Sequence, residues 1–226
     1  EQALATILRK PVRIQGAGRT DAGVHALGQV GSFEADTELP PERIRKGLTA
    51  LAGPDIAVVD AAIVPEGFNA RFDSTGKHYR YCILSRKSPS PLLRKTSHFV
   101  PVALDLEAMR CAAAKMIGEH DFRGFRAADC ERENTVCHIT GITVEADGRG
   151  VVSIDVKGVA FLKYMVRVLS GTLIEIGKHR LKPDRIEEVF ESGDRRLAGP
   201  TAPSRGLTLV EVFYPVGWRR EPTSSR

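Results

Sequence analysis

A chain of 226 residues with 42% hydrophobic and 27% charged residues has room for one large domain or two small ones sharing a core. Its formal charge of +5 permits a polyanionic partner without requiring one. No apolar run reaches the length of a membrane span and no signal peptide opens the chain, so a cytoplasmic protein is expected. Cys82, Cys111, Cys130 and Cys137 form no CxxC pair, and the histidines form no HExxH, so neither a disulfide framework nor a zinc site is expected.

Residues 1–10 read as the end of a helix, with Ala3, Leu4, Ile7 and Leu8 on one face and Pro11 as its stop. Residues 12–15 alternate as a strand and deliver the stretch Gly16-Ala17-Gly18-Arg19-Thr20-Asp21-Ala22-Gly23. Glycines allow positive φ and the close approach of a bulky ligand, so Asp21, two residues from Arg19, is a candidate reactive carboxylate. Composition alone leaves the commoner alternative open, a turn in which Asp21 bonds nearby amides. Residues 24–33 read as a strand in which Gly28 and Gly31 mark a bulge or a close backbone contact. Pro40 and Pro41 open a helix to about Leu51, and the apolar, β-branched residues 56–64 read as a buried strand. Phe68, Arg71 and Phe72 lie in a loop. Residues 77–84 then alternate cleanly, with His78, Arg80, Cys82 and Leu84 on one face and Tyr79, Tyr81 and Ile83 on the other.

Residues 85–95 form a proline-punctuated loop with Arg86, Lys87, Arg94 and Lys95, which reads equally as a solvated connection or a phosphate-contacting loop. Asp105 caps a predicted helix to Gly118, with Leu106, Met109, Ala113, Met116 and Ile117 at helical spacing. Phe122-Arg123-Gly124-Phe125-Arg126 repeats the aromatic-plus-cation pattern of Arg71. Residues 136–145 and 151–157 read as a hairpin. A second long helix over 161–176 buries Phe161, Met165, Val168, Leu169 and Leu173 and contains Arg167. Pro183 and Asp184 start a helix ending near Gly193, and residues 207–214 are a closing strand. With no internal repeat and no linker, this is an α+β pattern with a mostly antiparallel sheet.

The glycine loop runs into a strand and lacks the third glycine of GxGxxG, so a nucleotide-cofactor cradle is a weak reading. The basic and aromatic loops fit RNA better, since rings stack on unpaired bases while Arg and Lys hold phosphates. An enzyme that works on a base in folded RNA must take that base out of its stack.

The stretch Gly18-Arg19-Thr20-Asp21-Ala22-Gly23-Val24-His25-Ala26 closely resembles the signature of the tRNA pseudouridine synthase A family. The resemblance continues through Asn69-Ala70-Arg71-Phe72, Lys77-His78-Tyr79-Arg80-Tyr81, His120-Asp121-Phe122, Phe161-Leu162-Lys163-Tyr164-Met165-Val166-Arg167, Thr201-Ala202-Pro203 and Gly206-Leu207. These motifs keep the family's order over most of the chain. The resemblance implies a mixed, mostly antiparallel sheet with packed helices, in two similar halves around a central RNA-binding cleft. One catalytic domain would span 1–226, with an N-terminal half over about 1–100, a C-terminal half over about 101–216 and a polar tail over 217–226. It also implies a homodimer that needs no cofactor and no metal and acts on uridines 38–40 of the tRNA anticodon stem-loop. Two departures accompany it. The family's opening strand and loop are not found ahead of the first helix, and Glu131 and Glu133 stand where the family has a more basic loop.

By this resemblance Asp21 is the catalytic carboxylate, and Arg167 is the guanidinium that pairs with it and favours its ionised form. Tyr79 would pack on the extruded uracil, and its hydroxyl could join proton transfer. Arg19 would fill the space the base leaves, and Arg71 and Arg126 are further RNA candidates. Asp73, Asp121 and His25 read as structural. Whether Asp21 attacks the sugar or the base, or removes a sugar proton, stays open. The competing classes are an RNA-binding module without catalysis, which has no need of Asp21, Arg167 and Tyr79 together, and an NADP-type oxidoreductase, which a cofactor-binding assay would reveal.

Overall fold

A computed structural model describes residues 1–218, so the expected polar tail lies outside the described residues beyond Trp218. In chain order the elements are α1 (Gln2–Leu8), β1 (Gln15–Gly16), β2 (His25–Ala26), β3 (Gly31–Ser32), α2 (Pro41–Leu51), β4 (Gly76–Ser85), β5 (His98–Val100), α3 (Leu106–Ala114), β6 (Gly118–Asp121), β7 (Val136–Ala146), β8 (Val151–Gly158), α4 (Met165–Gly177), α5 (Arg185–Ser192) and β9 (Leu207–Phe213). They pack as two units, one from 1–19, 30–74 and 214–218 and the other from 20–29 and 75–213.

In the first unit, Pro41 occupies the opening turn of α2, where a missing N–H costs nothing. Leu4, Val12 and Ile44 are buried together, with Leu8, Ile14, Phe33 and Leu48 packed against them. Val12 thus serves this small core rather than a strand, and of the expected strand over 12–15 only Gln15 is paired. Gln15–Gly16 lies antiparallel to Gly31–Ser32. The second expected strand, over 24–33, is likewise reduced to two separate residue pairs, one in each unit. Residues 56–64 form no strand, contrary to their β-branched composition. Ile56, Val59 and Ile63 are 56%, 80% and 59% exposed. The Val58 N–H donates to Thr49 Oγ1 at 3.1 Å, and its carbonyl accepts from Arg45 at 3.3 Å. Strand propensity needs a ladder to act on, and here side chains of α2 take the backbone bonds instead.

The second unit is a seven-stranded sheet in the order β2-β9-β4-β8-β7-β6, with β5 beside β4. The β2–β9 and β4–β5 pairs are parallel and the rest antiparallel, which gives the α+β, mostly antiparallel architecture. One face is apolar: Tyr81 and Ile83, Val152, Ile154 and Val156, and Leu207 and Leu209 are buried beneath helices. The other face carries His78, Arg80, Ser153, Asp155 and Lys157, the one-sided pattern of an antiparallel sheet. A bulge between Ile139 and Gly141 lets Ile139 and Ile142 both be buried although they are three residues apart. The β7–β8 hairpin turns at Asp147, whose Oδ1 accepts from the Arg149 N–H at 2.7 Å and the Val151 N–H at 3.0 Å.

The helices cover the apolar face. Asp105 caps α3 as expected, accepting from the Ala108 N–H at 3.0 Å, but the helix stops at Ala114. Gly118, at a φ of 110°, turns the chain into the unforeseen β6, and Ile117 is left 41% exposed. Phe122 and Phe125 are fully buried, so their spacing with Arg123 and Arg126 reflects the core and offers no stacking platform. Helix α4 starts at Met165, not 161, because Tyr164 adopts a left-handed φ of 62°. It is the central helix, with Met165, Val168, Leu169, Leu173 and Ile176 all at 0% exposure. Each such side chain is worth roughly 1.5–3 kcal/mol of apolar burial.

The segment 199–202 lies directly on α4. The Gly199 N–H donates to Thr172 Oγ1 at 2.9 Å and the Ala202 N–H to the Arg167 carbonyl at 3.1 Å. A methyl at Gly171 would strike the Pro200 carbonyl oxygen, and one at Gly199 the backbone of Thr172. Two facing glycines set this backbone-to-helix approach. Gly171→Ala should therefore destabilise the protein by about 1–3 kcal/mol through overpacking. Thermal or urea unfolding measures this, and a wild-type midpoint would contradict the close approach.

Candidate active site

Asp21 opens a tight turn closed by the Val24 N–H on the Asp21 carbonyl at 3.0 Å. Gly23 supplies the required φ of 80°, and a side chain there would collide with Ser204. Immediately afterwards β2 joins the edge of the sheet beside β9, His25 opposite Thr208. Gly28 then passes the Val210 carbonyl so closely that a Cβ could not fit, which is the close backbone contact its position implied. The Asp21 carboxylate thus stands at the head of a turn that is anchored on its C-terminal side, and its side chain is 27% exposed.

Arg167 projects from the first turn of α4. Its Nη1 donates to Asp21 Oδ2 at 2.9 Å and its Nε to the Ala202 carbonyl at 2.8 Å. The guanidinium lies over the Tyr164 ring, 4.5 Å from the centroid. At 14% side-chain exposure, it has three directed contacts and little water. The contact with Arg167 engages Oδ2 of the Asp21 carboxylate.

Tyr79 lies on β4, at the point where its register with β9 shifts. Such irregularities re-aim side chains. Its ring meets Phe161 edge-on at a centroid distance of 5.2 Å. Burial, and secondarily the charge of Asp21, push its phenol up to about 12. Asp21, Arg167 and Tyr79, far apart in sequence, thus belong to one electrostatic neighbourhood. Arg19 and Arg71 are exposed residues of the other unit, Arg71 lying 5.5 Å from the centroid of the Phe72 ring. Arg126 donates to the Arg132 carbonyl at 2.9 Å. His25 bonds the Lys95 carbonyl at 2.7 Å, Asp73 accepts from the Asn69 N–H at 2.7 Å, and Asp121 accepts from the Arg123 N–H at 3.0 Å.

Lys163 and Tyr164 are site residues that sequence reasoning passed over as single groups. The Lys163 ammonium bonds Asp129 at 2.6 Å, and its pKa is raised by Asp129 first and, more weakly, by Asp21. No local signal marks them, because both stand ahead of α4, and the left-handed Tyr164, at a φ of 62°, is what leads the chain into that helix. No group of three or more His, Cys, Asp or Glu among the described residues is placed to hold a metal ion.

With this geometry in place, comparison with known proteins is informative. A family model described as tRNA pseudouridine synthase matches residues 1–73 and 112–215, which include Asp21 and Arg167. The tRNA pseudouridine synthase A of Geotalea uraniireducens (strain Rf4) is 48% identical over 214 residues, covering 95% of this chain and 87% of that protein. That of Myxococcus xanthus is 50% identical over 214 residues, with 95% and 81% covered. That of Geobacter sulfurreducens is 45% identical over 214 residues, with 95% and 87% covered.

The environment of Tyr79 can be tested alone. Its folded-state pKa of about 12 lies above the value of about 10 for a free tyrosine. The associated stabilisation is therefore fully present below pH ~10 and lost as pH rises through ~12. Tyrosinate absorbance of the wild type and of Tyr79→Phe should superimpose up to about pH 11. An excess of about half a tyrosinate in the wild type at about pH 10, which an ordinary phenol would give, would contradict the geometry described.

Proposed function

This chain belongs to the tRNA pseudouridine synthase family, isomerases acting on tRNA, and from that premise we propose that Asp21 is its catalytic carboxylate and that uridines 38–40 of the anticodon stem-loop are its targets. The observation that carries the reading is the 2.9 Å contact between Arg167 and Asp21, which joins two family-signature motifs 146 residues apart. The stem-loop target and a homodimer are what the signature resemblance implies, and with a cytoplasmic site of action they form part of the proposal.

The reaction breaks the bond between ribose C1′ and uracil N1, turns the base and joins C1′ to C5. The proton of C5 is lost and N1 gains one, so the product is an isomer and no electron leaves the substrate. An extruded uridine needs a carboxylate oxygen within reach of the sugar and the base edge. Asp21 supplies that oxygen, and every route begins from it, whether attack on C1′, attack on the base or removal of a sugar proton. Arg167 fixes the rotation of the carboxylate through Oδ2 and the helix through Ala202. Tyr79, protonated at neutral pH, offers a ring face to the base and an O–H donor to the freed uracil. A phenol with a pKa near 12 is a poor base at pH 7, which leaves the carboxylate as the group that accepts a proton.

The test is pseudouridine formation on unmodified tRNA. Wild-type chain should convert uridines 38–40, and Asp21→Ala should lose about 10³-fold or more in kcat while still binding tRNA. Arg167→Lys keeps the charge but not the two-pronged grip, and should lose about 10²-fold in kcat. Full activity of Asp21→Ala would overturn the assignment. Binding without turnover by the wild type would make this chain a tRNA-binding module.

A further inference from the structure

Residues 86–97 read Arg-Lys-Ser-Pro-Ser-Pro-Leu-Leu-Arg-Lys-Thr-Ser, four cations with no acidic residue among them. Arg86, Lys87, Arg94 and Lys95 are all exposed. Among the described residues none of the four enters an ion pair, whereas Lys115 has two carboxylate partners and Arg180, Arg185 and Arg196 have one each. Four unpaired like charges on one short loop repel each other, a cost that a polyanion would relieve.

The loop has a defined shape. Pro89 and Pro91 fix two φ angles. The Arg86 Nε donates to the Ser88 carbonyl at 2.9 Å, and the Thr96 and Ser97 N–H groups donate to the Leu93 carbonyl at 3.1 and 2.9 Å. At its start the Ser85 N–H donates to the Gly150 carbonyl at 2.7 Å, which brings the hairpin turn with Arg149 alongside Arg86. At its end it is tied to the site. The Lys95 carbonyl meets His25 Nε2 at 2.7 Å, four residues after Asp21, and the Ser97 carbonyl accepts from Arg205 Nε at 3.3 Å.

Topology gives its reach. The loop leaves at Ser85 and returns to begin β5 opposite Ile83, while His25 stands opposite Thr208 and Thr208 opposite Arg80. It therefore runs back along about five residues of β4, or roughly 17 Å, toward the Asp21 turn. We propose that this loop is a phosphate-binding surface that holds the tRNA backbone flanking the target nucleotide, with Lys95 and Arg94 nearest the catalytic turn and Arg86 and Lys87 farthest from it. The proposal rests on the tRNA reading of the Asp21 site and extends it to a part of the chain, residues 74–111, outside the family-model match.

The experiment replaces Arg86, Lys87, Arg94 and Lys95 together by Gln and measures pseudouridine formation on unmodified tRNA at several salt concentrations. We expect kcat/KM to fall about tenfold or more, mostly through KM, and the log–log salt slope of tRNA affinity to drop by about 3, since each lost phosphate contact removes a little under one unit. An unchanged KM and salt slope would overturn the proposal. A second measurement does not depend on the variant folding: amine acylation of the wild-type chain, in which tRNA should protect Lys87 and Lys95. Acylation of both lysines undiminished by saturating tRNA would likewise overturn it. If the wild type protects the loop yet makes no pseudouridine, the catalytic reading fails and the surface stands. If it makes pseudouridine with the loop unprotected, the surface fails and the catalytic reading stands.

Discussion

A guanidinium at the start of a buried helix is the constraint on which the rest of the site depends. Arg167 sits in the first turn of α4, where the helix dipole already presents positive charge. That end of a helix favours an anion, and Asp21 supplies it at 2.9 Å. The pair contributes little to folding for its own sake, since bringing two charges partly out of water offsets most of their attraction. Its significance lies in what each partner becomes when the other is present. Arg167 is compensated, and Asp21 is held through its Oδ2. The Tyr164 ring and the Ala202 carbonyl close the remaining sides of the guanidinium, so it has one low-energy position.

The fold is arranged to hold that position. Helix α4 is anchored by its apolar side chains, and the segment 199–202 is pressed onto it through Gly171 and Gly199 at distances no side chain would permit. Arg167 and Ala202 bond each other twice, backbone to backbone and side chain to backbone. On the opposite side, Gly23 and Gly28 let the Asp21 turn and β2 lie against Ser204 and β9. The glycines around the signature stretch therefore serve packing between loops as much as approach by a ligand.

Much of this was legible in the sequence because the signals were local. The Asp105 cap, the prolines before α2, the alternation of residues 77–84 and the Asp-Gly turn of the β7–β8 hairpin each act within a few residues. Asp21 and Arg167 became legible together only through the family resemblance, since nothing local links residues 146 positions apart. The failures have a common physical origin. Residues 56–64 carry strand propensity but no ladder partner among the described residues, and propensity does not supply one. Phe122 and Phe125 looked like an RNA-facing pair because an aromatic beside an arginine has the same composition whether the ring points in or out. The late start of α4 depends on a left-handed Tyr164, a conformation with a cost for a non-glycine residue that only tertiary contacts sustain.

A carboxylate that acts on RNA faces an electrostatic difficulty, because the substrate brings a dense row of negative charge toward it. Fixed cations near the reacting oxygen offset that repulsion without moving. Arg167 does so from the protein side, and Lys163, whose ammonium interacts with Asp21 while bonded to Asp129, adds a second positive charge in the same neighbourhood. The same approaching charge disfavours the ionised form of Tyr79 as well. Burial and Asp21 already hold its phenol protonated, and phosphates nearby reinforce that state. On the proposed reading the carboxylate is the group that attacks or accepts a proton, and the phenol is the donor.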